Sequence, residues 1–186
     1  MDWLPLLLLT ALAAAALGTF NLVVGLRNAV SMAAAQIEVT LTRRFDLIPN
    51  LVHAVQGQMD FERSTLTAIT AARSDVAAAG AGIGPARLAA EAQLTNALAA
   101  FRIQVEAYPE LRSNENVLRL QEELVSSENQ IGFARQAYNT AVLQYRSAVQ
   151  TFPTAIVARL TGFRADAFAF YEAEPAAAQA PRVDLR

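Results

Sequence analysis

Lysine and cysteine are absent from this 186-residue chain, and histidine occurs once, at His53. Without cysteine there is no disulfide, no thiolate nucleophile and no sulfur-ligated metal site. Without lysine there is no Schiff-base or Ser-x-x-Lys mechanism, and all 15 positive side chains are arginine. A single histidine excludes the di-iron site that some helical bundles hold, which needs a Glu-x-x-His pair on each of two helices. The residue three before His53 is Asn50, not glutamate. No Gly-x-Ser-x-Gly elbow is present, and "GAGIG" at 80–84 has neither a preceding strand nor a following lysine to make a phosphate loop. The net charge of −2 leaves no basic surplus for binding nucleic acid. These absences lead to an expectation of no enzyme activity, no metal, no cofactor and no nucleic-acid partner.

Glycine and proline are also scarce, at 8 and 7, while 54% of residues are hydrophobic, much of that alanine and leucine. Few turns and many strong helix formers point to a few long helices and no sheet. The first of them stands out. From Trp3 to Leu26, "WLPLLLLTALAAAALGTFNLVVGL" carries no charge. Its 24 residues would extend about 36 Å as a helix, against a bilayer core of about 30 Å. Trp3 suits an interfacial position. The competing reading is a cleaved signal peptide, for which "ALAAAALG" offers small residues. Against it stand the missing positive n-region and the length of the run. Arg27 follows the span at once, Arg43 and Arg44 come later, and no arginine precedes it. The positive-inside rule therefore puts the N-terminus outside and the remaining chain in the cytoplasm.

Beyond Arg27, apolar residues keep helical spacing in three runs. The first holds Val30, Ala33, Ile37, Leu41, Phe45, Ile48, Val52, Val55 and Met59. The second holds Leu88, Ala92, Leu98, Phe101, Val105 and Tyr108. The third holds Val117, Leu120, Leu124, Ile131, Tyr138, Val142, Tyr145 and Val149. "GAGIGP" and "YPELRSNEN" separate them, with Pro85 suited to a first helical turn and Ser113 or Asn114 to an N-cap. Inside the first run, Arg43 and Arg44 suit a helix C-terminus, Asp46 an N-cap and Pro49 the turn after it. The apolar phase nevertheless continues through 41, 45, 48, 52 and 55. The cap signals predict a break or tight turn there, giving four soluble helices; the phase predicts one helix with a proline kink. The expected fold is all-α: an anchor over 1–26, an antiparallel four-helix bundle over 27–171, and a disordered tail over 172–186 that includes "PAAAQAPRVDLR". Pro153 and Gly162 can open and close a short helix in the aromatic stretch before that tail.

"FNLVVGLRNAV", "QIEVTLTRRFDLIPNLVHAVQG", "EAYPELRSNENVLRLQEEL", "ENQIGFARQAYNTAVLQY" and "FPTAIVARLTGF" occur in that order over about residues 20–171. They resemble the LemA family. "RRFDLIPNLV" and "RQAYN" are the most specific parts. The chain departs from the pattern in the alanines at 33–35, where a tryptophan is usual, and in Phe45 and Phe61, where histidine is common. The resemblance implies a bacterial, membrane-anchored helical bundle, in a family with no established enzymatic activity.

The polar residues lying on apolar stripes are the candidate site: Arg43, Arg44, Asp46, Pro49 and Asn50 near the junction, and Glu128, Arg135 and Tyr138 on one face of the third run. One reading pairs Glu128 or Arg135 with the "RRFD" group as an ionic layer that sets helix register. The other is an inter-helix groove in which Arg43, Arg44 and Arg135 hold an anionic ligand. On the first reading the chain is a scaffold working through an unnamed protein partner at the cell envelope; on the second it is receptor-like. A third reading is self-assembly into a homo-oligomer through the small residues Ala11–Ala16 and Gly18 of the anchor.

Overall fold

The computed structural model describes residues 3–56 and 62–171. The expected disorder of 172–186, and the positions of Met59 and Phe61, lie outside the described residues. No strand occurs among those described, and six helices do: α1 (Trp3–Gln56), α2 (Arg63–Ala78), α3 (Pro85–Val105), α4 (Pro109–Arg112), α5 (Glu115–Gln150) and α6 (Thr154–Thr161). The fold is all-α, as the composition predicts. The chain divides into two compact units, one built from residues up to Ile37 with Phe133–Tyr171, the other from Glu38–Gly132.

In the unit Glu38–Gly132, the C-terminal part of α1, α2, α3 and the N-terminal part of α5 form a four-helix bundle around one core. Ile48, Leu51 and Val55 meet Ile69, Val76, Leu94, Phe101, Val117 and Leu124 there. The side-chain bonds give the directions. Thr65 near the start of α2 bonds Gln104 at the end of α3, whereas Arg87 at the start of α3 bonds Val76 O at the end of α2. α2 and α3 are therefore antiparallel. Pro85 starts α3 as its N1 or N2 residue. Asn114 is the N-cap of α5, its Oδ1 accepting the N–H groups of Asn116 and Val117 at 3.0 and 3.3 Å. The one-turn α4 drops Leu111 into the core between α3 and α5.

Two expectations need correction. Residues 62–79 carry no helix in the sequence reading, yet α2 lies there. Its buried stripe is Thr65, Ile69, Ala72 and Val76, and two of the four are too small or too polar to register as apolar. The expected break at 45–49 is also absent. α1 runs through Pro49, so Asp46 is an exposed mid-helix residue and not an N-cap, and Arg43 and Arg44 close no helix. Burial explains why continuity wins. Ile48, Leu51 and Val55 are at most 1% exposed, and each contributes about 1.5–3 kcal/mol. Together they outweigh the roughly 3 kcal/mol cost of an interior proline, and a turn at 45–49 would take them off the stripe set by Leu41 and Arg44.

Pro49 has no N–H for the carbonyl of Phe45, one helical turn earlier. A side chain from α2 takes that place. Arg73 Nε donates to Phe45 O at 3.4 Å, and its guanidinium lies 3.9 Å from the centre of the Phe45 ring. Arg73→Ala should therefore lower stability by about 1–2 kcal/mol, and clearly less in a Pro49→Ala background, where a backbone N–H can reach Phe45 O. A double-mutant cycle on the thermal unfolding of the full chain in detergent measures the coupling. Equal costs in both backgrounds would show that the freed carbonyl is not what Arg73 serves.

In the other unit, α1 buries Val23, Val30 and Ile37 at a seven-residue spacing. α5 buries Ala134, Tyr138, Val142, Tyr145 and Val149. α6 ends at Gly162, whose φ of 80° is the left-handed conformation that glycine adopts without strain. Residues 3–18 of α1 are exposed throughout. α1 is the one helix among the described residues long and apolar enough to cross a membrane.

Candidate functional site

The buried stripe of α1 repeats every seven residues: Val23, Val30, Ile37, Arg44 and Leu51, none more than 1% exposed. Arg44 thus occupies a position where the helix otherwise presents an apolar side chain to the core. Its guanidinium is neutralised at once. Nη2 donates to Glu91 Oε2, while Nη1 donates to Glu128 Oε2 at 2.6 Å and to Thr95 Oγ1 at 2.9 Å. Glu91, itself 1% exposed, holds a second arginine, Arg87, one helical turn earlier on α3, with Nε 2.8 Å from Oε1. Arg87 Nη1 then donates to Val76 O at 3.0 Å and Gly80 O at 2.8 Å. Val76 O is in the last turn of α2 and Gly80 O just beyond its C-cap; α2 has no basic residue in its own last turn, so α3 supplies the cation that the α2 C-terminus lacks. Two arginines and two carboxylates balance, and the chain of contacts links α1, α2, α3 and α5.

Of the predicted site residues in this unit, Arg44 and Glu128 come together, while Arg43, Asp46, Pro49 and Asn50 face outward. Arg87, Glu91 and Thr95 are absent from the sequence-based set. The usable signal is phase. Arg87, Glu91, Leu94, Leu98, Phe101 and Val105 lie alternately four and three apart, a stripe that becomes visible once the two charges are admitted to it. Reading by hydrophobicity alone shifts the face onto Leu88 and Ala92, which are half-buried. Beside the layer, α3 and α5 leave a cavity of about 240 Å³ lined mainly by apolar groups, among them Leu98, Phe101, Leu124 and Val125, with Arg102 and Glu128 also on its wall.

Arg135 and Tyr138 belong to the other unit, where they grip the segment after α6. The Arg135 guanidinium stacks 4.7 Å from the Tyr171 ring centre and that of Arg146 4.4 Å from Phe170. The Tyr138 hydroxyl donates to Ala169 O at 3.0 Å, and Arg146 Nη2 to Phe168 O at 2.6 Å. Asn139 accepts from the Tyr171 N–H at 2.8 Å and donates to its carbonyl at 3.0 Å. Tyr145 meets Phe168 edge-on, with centroids 5.2 Å apart. The "RQAYN" motif is a dock for residues 168–171. Within their own units, Arg44 is engaged by two carboxylates and Arg135 by an aromatic ring.

The LemA family model matches residues 33–185, which takes in both the ionic layer and the dock. The chain belongs to the LemA family. Among its relatives, a magnetosome protein MamQ of Magnetospirillum gryphiswaldense is 25% identical over 154 residues, 70% of this chain and 57% of that protein. Protein LemA of Metamycoplasma hominis is 26% identical over 134 residues, 72% of this chain and 60% of that one. Magnetosome protein MamQ 2 of Paramagnetospirillum magneticum is 25% identical over 185 residues, covering 87% and 68%. The chain spans about three fifths of the length of the first two of these curated relatives. None of these names states a reaction. The resemblance noted in "RRFDLIPNLV" and "RQAYN" is thus family membership, and in this LemA-family chain those motifs hold the ionic layer, the carbonyl freed by Pro49 and the dock.

Two outcomes follow. Glu91→Ala takes from both Arg44 and Arg87 the buried carboxylate they share and should cost about 3–5 kcal/mol. Glu128→Ala removes a partner whose side chain is 43% exposed and should cost about 1 kcal/mol or less. Thermal or denaturant unfolding of the two variants gives the ranking, and a reversed order would remove Glu91 from the centre of the layer. The dock should respond to alkali. Burial raises the pKa of Tyr138 above its ordinary 10.0, with the charge of Arg146 acting the other way, and burial raises Tyr145 likewise. Because the folded state favours the neutral phenols, this contribution is complete below pH 10 and is lost as pH rises through the raised values. Tyr138→Phe should weaken the alkaline fall in melting temperature. An unchanged fall would mean that Tyr138 does not titrate with unfolding.

Proposed function

We propose that this LemA-family chain is a non-enzymatic, single-pass protein of the bacterial cytoplasmic membrane that works through protein contacts, as a scaffold or assembly element of the cell envelope. The observation that carries the reading is the contrast between the two surfaces of the bundle. Inside, the charges of Arg44, Glu91 and Arg87 are spent on one another and on helix carbonyls. Outside, an apolar groove between α3 and α5 stands open, with Val125 at its wall and 42% exposed. A cavity of about 240 Å³ admits one or two large side chains and is below the usual size of a small-molecule site, about 300–1,000 Å³. That favours a protein side chain as its occupant.

Arg27 just after the apolar run supports a topology with the N-terminus outside and the bundle in the cytoplasm. Relatives named for the magnetosome, not for a reaction, fit a role in assembly. A photo-cross-linking residue at Val125 in living cells should capture one stoichiometric protein, whereas the same residue at Thr67, exposed on α2, should not. Mass spectrometry of the adduct identifies the partner and, from the partner's known side, the topology. An adduct with a second copy of this chain would move the reading to self-assembly. No adduct at Val125 would refute the groove as a contact surface.

A further inference from the structure

The eight-residue helix α6 is built inside out. Thr154 and Ala158 are its buried side chains, so its inward face is small and partly polar. Two residues round the helix from each, on the opposite side, stand Ile156 and Leu160, 54% and 83% exposed, and Phe152 just before the helix is 78% exposed. Ile156 and Leu160, one turn apart, form an outward apolar stripe, and the exposed Phe152 precedes it. A helix covering a water-facing surface carries its polar residues there instead.

The position of α6 says what covers the stripe. Phe163, immediately after the glycine that ends α6, packs its ring against Phe20 of α1 with centroids 5.8 Å apart. Phe20 belongs to the bare apolar stretch of α1, whose first buried side chain is Val23. With Trp3 at one interface, the rise of about 1.5 Å per residue puts residue 20 about 26 Å along the helix, just inside the far edge of a hydrocarbon core of about 30 Å. The contact therefore holds α6 at the level where α1 leaves the bilayer. Arg159 and Arg164 beside the stripe are exposed, as suits the headgroup layer.

We propose that α6 is a membrane-surface helix, with Phe152, Ile156 and Leu160 seated in the interfacial region of the same bilayer that α1 spans. The proposal rests on the membrane-spanning reading of α1. The absence of native cysteine makes the test direct. Single-cysteine variants Ile156→Cys, Leu160→Cys, Leu9→Cys and Ile103→Cys of the full chain are labelled with an environment-sensitive fluorophore and reconstituted in phosphatidylglycerol–phosphatidylcholine vesicles. Lipids with a spin label high on the acyl chain should quench the labels at 156 and 160, placing them roughly 5–10 Å into the headgroup and acyl boundary. Lipids labelled deep in the chain should quench Leu9→Cys, and neither lipid should quench Ile103→Cys on α3. Quenching at position 9 with positions 156 and 160 open only to aqueous iodide would overturn the surface helix and leave the span intact. Loss of lipid quenching at position 9 as well would overturn both.

Discussion

One guanidinium in a helical core sets the terms for the rest of the bundle. Arg44 holds a place that Val23, Val30, Ile37 and Leu51 fill with hydrocarbon, and burying an unpaired cation there would cost several kcal/mol. The helices must therefore meet at the one axial offset that brings Glu91, Thr95 and Glu128 to it. Apolar stripes alone tolerate a slip of one heptad; a buried ion pair does not. The same contacts oblige α3 to begin where Arg87 can reach the end of α2, so the loop at 79–84 inherits its geometry from the layer.

The long elements were legible because their evidence is redundant. α5 repeats its apolar stripe from Val117 to Val149, about nine turns, and carries Asn114 as a cap, and the span of α1 is uncharged over a bilayer's width. Two features were hidden for one reason: the sequence reading equated burial with hydrophobicity. α2 buries threonine and alanine, and α3 buries Arg87 and Glu91, so in both the true stripe is partly polar. The Pro49 region failed differently. Cap residues are local signals, and here they competed with three core side chains beyond the proline whose burial is a property of the tertiary structure. The partner of the orphaned Phe45 carbonyl, Arg73, lies 28 residues away and no local pattern points to it.

The two family motifs contribute to stability and shape in different ways. "RRFDLIPNLV" organises charge in the core and repairs a backbone gap, whereas "RQAYN" holds a segment of irregular chain with side chains aimed mostly at main-chain atoms. Neither arrangement leaves a nucleophile, an acid–base pair or an open cation among the groups described. Three apolar surfaces also stay exposed: the groove beside Val125, the stripe of α6 and the bare part of α1. Recognition through such surfaces depends on shape and desolvation more than on charge.

Asn139 has a consequence of its own. Its carboxamide presents one acceptor and one donor to the N–H and C=O of Tyr171, the pair of bonds that a neighbouring β-strand would offer. The backbone of Tyr171 is thereby satisfied without a second strand, and no strand occurs among the described residues. A side chain that imitates a peptide unit thus lets a helix hold non-helical backbone against its surface, doing with one carboxamide what a sheet does with a neighbouring strand.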